Sequence, residues 1–175
     1  MGFFKRRRLP ARLRPALAAN ERVLAWATVA DDQAVVVTNL GLHLPDRTER
    51  LGWHEIHKAT WTGRELIIVP GEVREPDAGG YQVVADLPPV TIPLSDPGDV
   101  PKVVRARVTK SVSFSAHEAV PGGAVWVVAR RVPGVDGLRW MVRYDPGTDP
   151  AAPGVRDATA TLVATYSAAG GAETA

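Results

Sequence analysis

The sequence predicts a mixed α+β protein in which about seven antiparallel strands and a closing helix precede a three-stranded antiparallel meander and a C-terminal helix. Short apolar runs separated by turn residues fill positions 23–94 and again positions 112–144. Apolar residues return at helical spacing at 100–108 and at 155–166. Strand runs that are each followed by one helix favour an α+β fold over alternating βα units.

The first half contains seven predicted strands. They cover positions 23–30, 34–38, 42–44, 51–61, 66–69, 81–85 and 90–94. Asn39 and Gly41 indicate a tight reversal between the second and third strands, because both residue types tolerate a positive φ. Residues 70–80 are predicted to form an exposed loop. Residues 15–19 are predicted to form a short helix, because Pro15 suits a first helical turn.

Two longer helices are predicted. The first starts after Asp99, a good N-cap, with Pro101 in its first turn. Its apolar stripe consists of Val100, Val103, Val104 and Val108. The second follows strands at 112–116, 124–132 and 138–144, and its stripe consists of Val155, Ala158, Thr159, Leu162, Val163 and Tyr166. We expect this stripe to pack across the three strands, and Gly170 and Gly171 to end the helix.

The chain divides into four predicted segments. They are a basic arm with a short helix at 1–20, a strand barrel with its helix at 21–111, a meander with its helix at 112–171, and a flexible end at 172–175. A unit of the size of the third segment makes a marginal core by itself. We therefore expect the two folded units to pack into one body.

Positive charge is concentrated in the arm. Its cations are Lys5, Arg6, Arg7, Arg8, Arg12 and Arg14, and without these six the chain carries 15 basic against 19 acidic residues. This polarity indicates an anionic partner. An anionic membrane would be contacted by the arginines together with Phe3 and Phe4. Nucleic-acid phosphates are a less favoured partner, and a solvated tail without a partner is the third interpretation.

Composition excludes several classes of protein. The chain has no cysteine, so disulfides, thiolate metal sites and cysteine nucleophiles are impossible. No apolar run approaches the roughly 18–20 residues that span a bilayer, and no apolar region of a secretory signal follows the arm. We expect a cytoplasmic protein without a transmembrane segment, peripheral to the inner membrane if the arm binds lipid.

No catalytic motif is present. Gly-x-Ser-x-Gly, Gly-x-Gly-x-x-Gly and the phosphate-binding loop are all absent. His54, Glu55 and His57 form the one metal-like cluster, but the histidines are three residues apart and would face opposite sides of a strand. The carboxylates lie mostly in predicted turns, which explains their positions without catalysis. The sequence therefore predicts no catalytic residue, no metal and no cofactor.

Five tryptophans, Trp26, Trp53, Trp61, Trp126 and Trp140, lie on predicted strands. Core packing is the favoured interpretation of all five. Trp126 with the arginines that follow on its strand could instead form a stacking surface for a partner. Alternation places Trp140 opposite Arg139, which favours core packing for that pair.

Residues 23–111 resemble a bacterial pleckstrin-homology-like domain of the GRAM type. The resemblance is carried by three stretches, 21–26, 34–44 and 51–57, of which the second is the hairpin between the second and third strands. It implies a binding scaffold that usually lacks catalysis and whose relatives bind lipid head groups, proteins or copies of themselves. The basic cluster that head-group binders carry between the first two strands is replaced by Asp31, Asp32 and Gln33, which argues against phosphoinositide-type binding.

The whole sequence also resembles an uncharacterised conserved protein family of high-GC Gram-positive bacteria. Together these observations predict a noncatalytic binding or assembly module whose partner is another protein, a second copy, or an anionic membrane surface contacted by the arm. A nucleic-acid-associated protein and an enzyme of unknown type are the alternatives.

Overall fold

The computed structural model describes residues 8–29 and 32–171, and every structural statement below concerns these residues. They form a mixed α+β fold that consists mostly of strands, with two α-helices and a curled sheet. Within the described ranges, no helix has both the length and the apolar character that a membrane crossing requires.

The first sheet contains four short antiparallel strands in chain order. They are β1 (Val23–Thr28), β2 (Ala34–Thr38), β3 (Gly41–His43) and β4 (Leu51–Gly52). The predicted reversal at Asn39 and Gly41 connects β2 to β3. The apolar run of β2 is buried, as expected for a strand that is covered on both faces.

The second sheet follows the order β5-β6-β7-β11-β10-β9, with β8 paired to β6. Its strands are β5 (Ile56–Trp61), β6 (Glu65–Glu75), β7 (Gln82–Asp86), β8 (Val90–Pro93), β9 (Val112–Val120), β10 (Gly123–Arg130) and β11 (Arg139–Tyr144). The first half of β6 pairs with β5 and β8, and its second half pairs with β7. A parallel pairing of β7 with β11 then joins the two halves of the chain.

Two hydrophobic clusters fill the molecule. The first lies between the strands of the N-terminal half and helix α1 (Val100–Ser111), where Val100 and Val104 are fully buried. The second lies between β9–β11 and helix α2 (Val155–Gly171), where Val163 packs on Val127 and its neighbours. The predicted packing of the final helix across the three-stranded meander is confirmed.

The stretch 51–61 is not one bent strand. It is divided into β4, a single 3-10 turn (Trp53–Glu55), and β5. The carboxylate of Glu55 accepts a hydrogen bond from the Gly52 N–H at 2.6 Å, which stabilises the turn from its own N-terminus. Among the described residues, eight strands therefore precede α1, where the sequence predicts seven.

The prediction of a loop at 70–80 is wrong for its first half, because β6 continues to Glu75. Pro70 and Gly71 lie where β6 exchanges β5 for β7 as its neighbour. Proline cannot donate a ladder hydrogen bond and glycine weakens a strand interior, and in β6 both residues lie at the change of partner.

The helix ends also differ from expectation. Residues 15–19 form no helix, and a 3-10 turn lies earlier, at Ala11–Leu13. The Ala18 N–H donates to the Glu21 carboxylate. Asp99 has a helical backbone and makes no side-chain capping bond. Helix α2 ends at Gly171, the second of the two glycines that were expected to end it.

A cleft on the open face of the second sheet

Helix α2 covers one face of the part of the second sheet formed by β9, β10 and β11. Val125, Val127 and Val142 pack against it. Because side chains alternate between the two faces of a strand, Trp126 and Val128 point to the opposite side. We call this side, which α2 leaves uncovered, the open face.

The open face holds a cleft of about 230 Å³. Its apolar lining includes Val84, Val128, Met141 and the ring of Trp126. Its charged or polar lining includes His57, Ser115, Arg130 and Arg143. A concave, largely apolar surface with a few convergent polar groups is the usual form of a small-molecule site.

Three strands bring a histidine, a carboxylate and an arginine together beside this cleft. His57 Nδ1 of β5 lies 2.6 Å from Asp86 Oδ1 at the end of β7. Arg143 Nη1 of β11 donates to both carboxylate oxygens of Asp86, at 2.8 and 2.6 Å. Asp86 thus connects a side chain of the first half of the chain to one of the second half.

The backbone around His57 explains its position. The pairing of β5 with β6 shifts register between Ile56 and Lys58, so His57 occupies a bulge, a feature that redirects a side chain. Its ring lies over Gly71, and a Cβ at that position would overlap Nε2. The nitrogen that a general base would use is therefore pressed against the backbone of β6.

Burial and hydrogen bonding set the ionisation of this group. Burial lowers the pKa of His57, although the hydrogen bond to Asp86 opposes the change. Burial by itself would raise the pKa of Asp86, but hydrogen bonds from Arg143 and His57 outweigh it and lower that pKa. At neutral pH the group holds a carboxylate, a guanidinium and a neutral imidazole.

Arg130 lies at the base of the cleft with 5% of its surface exposed. Its Nη1 donates to Ser111 Oγ at 2.8 Å and to the Trp53 carbonyl oxygen at 3.4 Å. Burial, reinforced by the charge of Arg143, lowers the pKa of Arg130 to about 10, so it stays charged at neutral pH.

Aromatic contacts border the cleft on the side of Trp126. The His117 ring stacks on Trp126 with the centroids 4.5 Å apart, and the Arg143 guanidinium lies 6.0 Å from the Trp126 ring centre. Trp53, Trp61 and Trp140 pack in the hydrophobic clusters, as the favoured interpretation predicts. Trp126 instead borders the cleft.

The predicted arm residues are only partly described. Lys5, Arg6, Arg7, Phe3 and Phe4 lie outside the described residues. Arg8, Arg12 and Arg14 are exposed. Arg12 Nη2 pairs with Asp32 Oδ1 at 3.0 Å, and none of the three lines the cleft.

The two histidines of the metal-like cluster have different neighbours. His57 borders the cleft, while His54 lines a separate groove with Arg50 and Glu55. Burial lowers the pKa of His54. In the part of the chain that the structure describes, no three histidine or carboxylate side chains are grouped closely enough to hold a metal ion.

Sequence reasoning missed Asp86 and the grouping around it. Asp86 stands just before Leu87 and two prolines, so its position is typical of a turn residue. Arg130 and Arg143 were available as charged residues within otherwise apolar strands, which is an unusual position for arginine. Their meeting with His57 depends on the parallel pairing of β7 with β11, which periodicity does not reveal.

Comparison with family models, with curated proteins and with solved structures found no match to this chain. The site must therefore be interpreted from its own geometry.

Proposed function

We propose that the protein is a noncatalytic binding module and that its ligand site is the cleft on the open face. The observation that carries this proposal is the asymmetry of β9–β11, which have one face buried under α2 and border a concave, partly apolar surface on the other. Charged side chains at the base of such a surface cost folding stability, and such costs are typical of functional sites. The covered Nε2 of His57 favours binding over catalysis.

A fragment screen tests this proposal. We expect small aromatic and carboxylate fragments to shift the amide resonances of cleft residues in ¹H–¹⁵N spectra. Ser115→Phe places a ring in the cleft and should abolish these shifts, while Thr91→Phe, on an exposed position of β8, should preserve them. A screen in which no fragment perturbs the cleft would overturn the proposal.

We also propose that residues 23–111 have a pleckstrin-homology-like arrangement. Two observations support this assignment. Two groups of antiparallel strands precede α1, and Val100 and Val104 of α1 pack in the same cluster as Trp53 and Ile56. An experimental structure in which these strands do not curl around α1 would contradict it.

For the arm we propose contact with an anionic membrane surface. The exposure of Arg8 and Arg14 supports it, since both guanidinium groups are available to a partner. Each basic residue close to such a surface adds about 1 kcal/mol. Vesicles of phosphatidylglycerol and phosphatidylcholine should bind the full chain at low salt and release the variant that lacks residues 1–14. Binding to duplex DNA or RNA with a steep salt dependence, in the absence of vesicle binding, would favour the nucleic-acid alternative.

A further inference from the structure

We infer that the cleft binds a small organic carboxylate, with the anionic group at Arg130 and an apolar body against Val128 and Met141. This inference rests on the proposed function, because it assigns a ligand class to the same cleft.

The first argument is the missing counter-charge of Arg130. Its side chain is nineteen-twentieths buried, and its hydrogen-bond partners, Ser111 and the Trp53 carbonyl, are neutral. None of the ion pairs among the described residues includes Arg130. A buried charge is costly unless it is paired, so a ligand anion at this guanidinium would remove a cost that the free protein carries.

The second argument is the excess of positive charge on the open face. Arg130 and Arg139 are directly opposite each other in the register of β10 and β11, and like charges at such positions repel. Arg143 lies on the same face by strand alternation, four residue pairs further along the register. Asp86 is the carboxylate beside these arginines, and it is already hydrogen-bonded to Arg143 and His57. The three arginines and Asp86 together carry a net charge of +2, and one bound carboxylate would reduce this excess.

The third argument is the size and lining of the cleft. Its volume of about 230 Å³ lies below the roughly 300–1,000 Å³ of sites for drug-sized ligands, which indicates a compact ligand. Val84, Val128, Met141 and Trp126 provide apolar contact next to Arg130. A carboxylate matches the planar fork of arginine, and a ring or short chain attached to it would fill the apolar part.

Benzoate, benzamide and inorganic phosphate are the probes that test the inference. Benzoate and benzamide share a shape and differ in charge, while phosphate keeps the charge and lacks the apolar body. Titration of the full chain is followed through the indole N–H resonance of Trp126, which borders the cleft. We expect benzoate to bind at least tenfold more tightly than benzamide and at least tenfold more tightly than phosphate.

Arg130→Met is the decisive variant, and Arg131→Met is its matched control. Arg131 is the next residue along the chain, is exposed, and does not line the cleft. Arg130→Met should lose at least tenfold in benzoate affinity and bind benzoate and benzamide equally, whereas Arg131→Met should bind benzoate like the unmodified chain. A melting temperature for Arg130→Met at or above that of the unmodified chain separates lost binding from lost structure.

The outcomes are separable. Equal binding of benzoate and benzamide to the unmodified chain, a comparison that needs no variant to fold, would overturn the assignment of an anion and leave the binding module intact. Phosphate binding as tight as benzoate would overturn the assignment of an apolar body. If benzoate leaves the Trp126 resonance unchanged while other fragments shift cleft residues, the carboxylate inference fails and the proposed function stands.

Discussion

The Glu21 carboxylate is fully buried and receives four hydrogen bonds. Oε1 accepts from Thr38 Oγ1 at 2.7 Å and is 2.9 Å from His43 Nε2. Oε2 accepts from the Ala18 N–H at 3.1 Å and from Arg50 Nη1 at 2.7 Å. Burial would raise its pKa, but these bonds and the charge of Arg50 outweigh burial and lower the pKa to about 2. This one side chain thus connects four parts of the chain, namely the segment that precedes β1, strand β2, strand β3, and the residue that precedes β4.

The acid sensitivity of the fold is predicted to depend on Glu21. Because the pKa of Glu21 is lower in the folded protein than its ordinary value of 4.5, the ionised carboxylate contributes fully to the free energy of unfolding above pH 4.5. This contribution is lost as the pH falls towards 2. The contribution is on the order of 3 kcal/mol. Glu21→Gln should therefore lower the free energy of unfolding at pH 7 and flatten its decline between pH 4.5 and 2, as measured by urea titration at several pH values.

Glu49→Gln, which replaces an exposed carboxylate, is the control for this measurement and should retain the acid-induced loss. An unchanged decline in Glu21→Gln would show that other groups set the acid sensitivity.

At the scale of single residues, the sequence indicates which side chains could carry chemistry better than it indicates which of them are in contact. It singles out His57 and the arginines of the meander. The expectation that His54 and His57 face opposite sides of one strand does not apply, because His54 lies in the 3-10 turn and His57 in β5. It does not identify Asp86 as their partner, because an aspartate before two prolines looks like turn chemistry. Glu21 likewise looks like a surface residue until the hairpin that buries it has formed.

Among the elements, helix α1 shows how strongly packing outweighs propensity. It contains four valines, which are poor helix formers because their branched side chains lose rotamer freedom. Val104 is nevertheless fully buried in the first hydrophobic cluster, together with Trp53 and Ile56. Packing against these residues is what keeps residues 100–111 helical.

Val104→Ala should lower the free energy of unfolding by about 1–3 kcal/mol, because the lost contacts and the cavity outweigh a gain of about 0.5 kcal/mol in helix propensity. Arg105→Ala, at the next and exposed position, should change it by no more than about 0.5 kcal/mol. Chemical denaturation monitored by circular dichroism checks both values. Similar stabilities of the two variants would contradict a packed helix.

Elements with a clear period are the ones that sequence analysis locates. Both long helices and all three strands of the meander lie where their apolar spacing predicts them. The 3-10 turn at Trp53–Glu55 and the extension of β6 beyond Pro70 were missed, because a one-turn helix has no measurable period and proline with glycine normally indicates a loop. In β6 these residues instead mark a change of neighbouring strand.

In the molecule as a whole, the two hydrophobic clusters are connected by shared elements. β6 belongs to the pairings of both halves. Arg130 of the second half is hydrogen-bonded to Ser111 and to the Trp53 carbonyl of the first. Opening either half would therefore break contacts that the other half needs.

We predict a single cooperative unfolding transition for the described fold. The midpoint in urea should be the same by far-ultraviolet circular dichroism, which reports all elements, and by tryptophan fluorescence, which reports Trp53 and Trp61 in one cluster and Trp140 in the other. Two separated midpoints would mean that the clusters unfold independently.

The mixed α+β class follows from local patterns, since it needs only the type and order of the elements. The cleft does not, because it requires the pairing of β7 with β11, two strands far apart in the chain. Two distant parallel strands are not connected by a short turn that would mark their pairing in the sequence. The alternation of apolar and polar residues in each strand is also compatible with many different partner strands. The sequence therefore contains several of the cleft residues in recognisable positions but does not show that they lie together.

The β7–β11 pairing also sets an order of events during synthesis. Gln82 and Val83 leave the ribosome long before Met141 and Val142, so one edge of β7 has no neighbour while the rest of the chain is being made. His57 and Asp86 can meet early, but Arg143 reaches them only after β11 has been made. The proposed binding site is consequently incomplete in any nascent chain that stops before β11, because Met141 and Arg143 are still missing from the cleft.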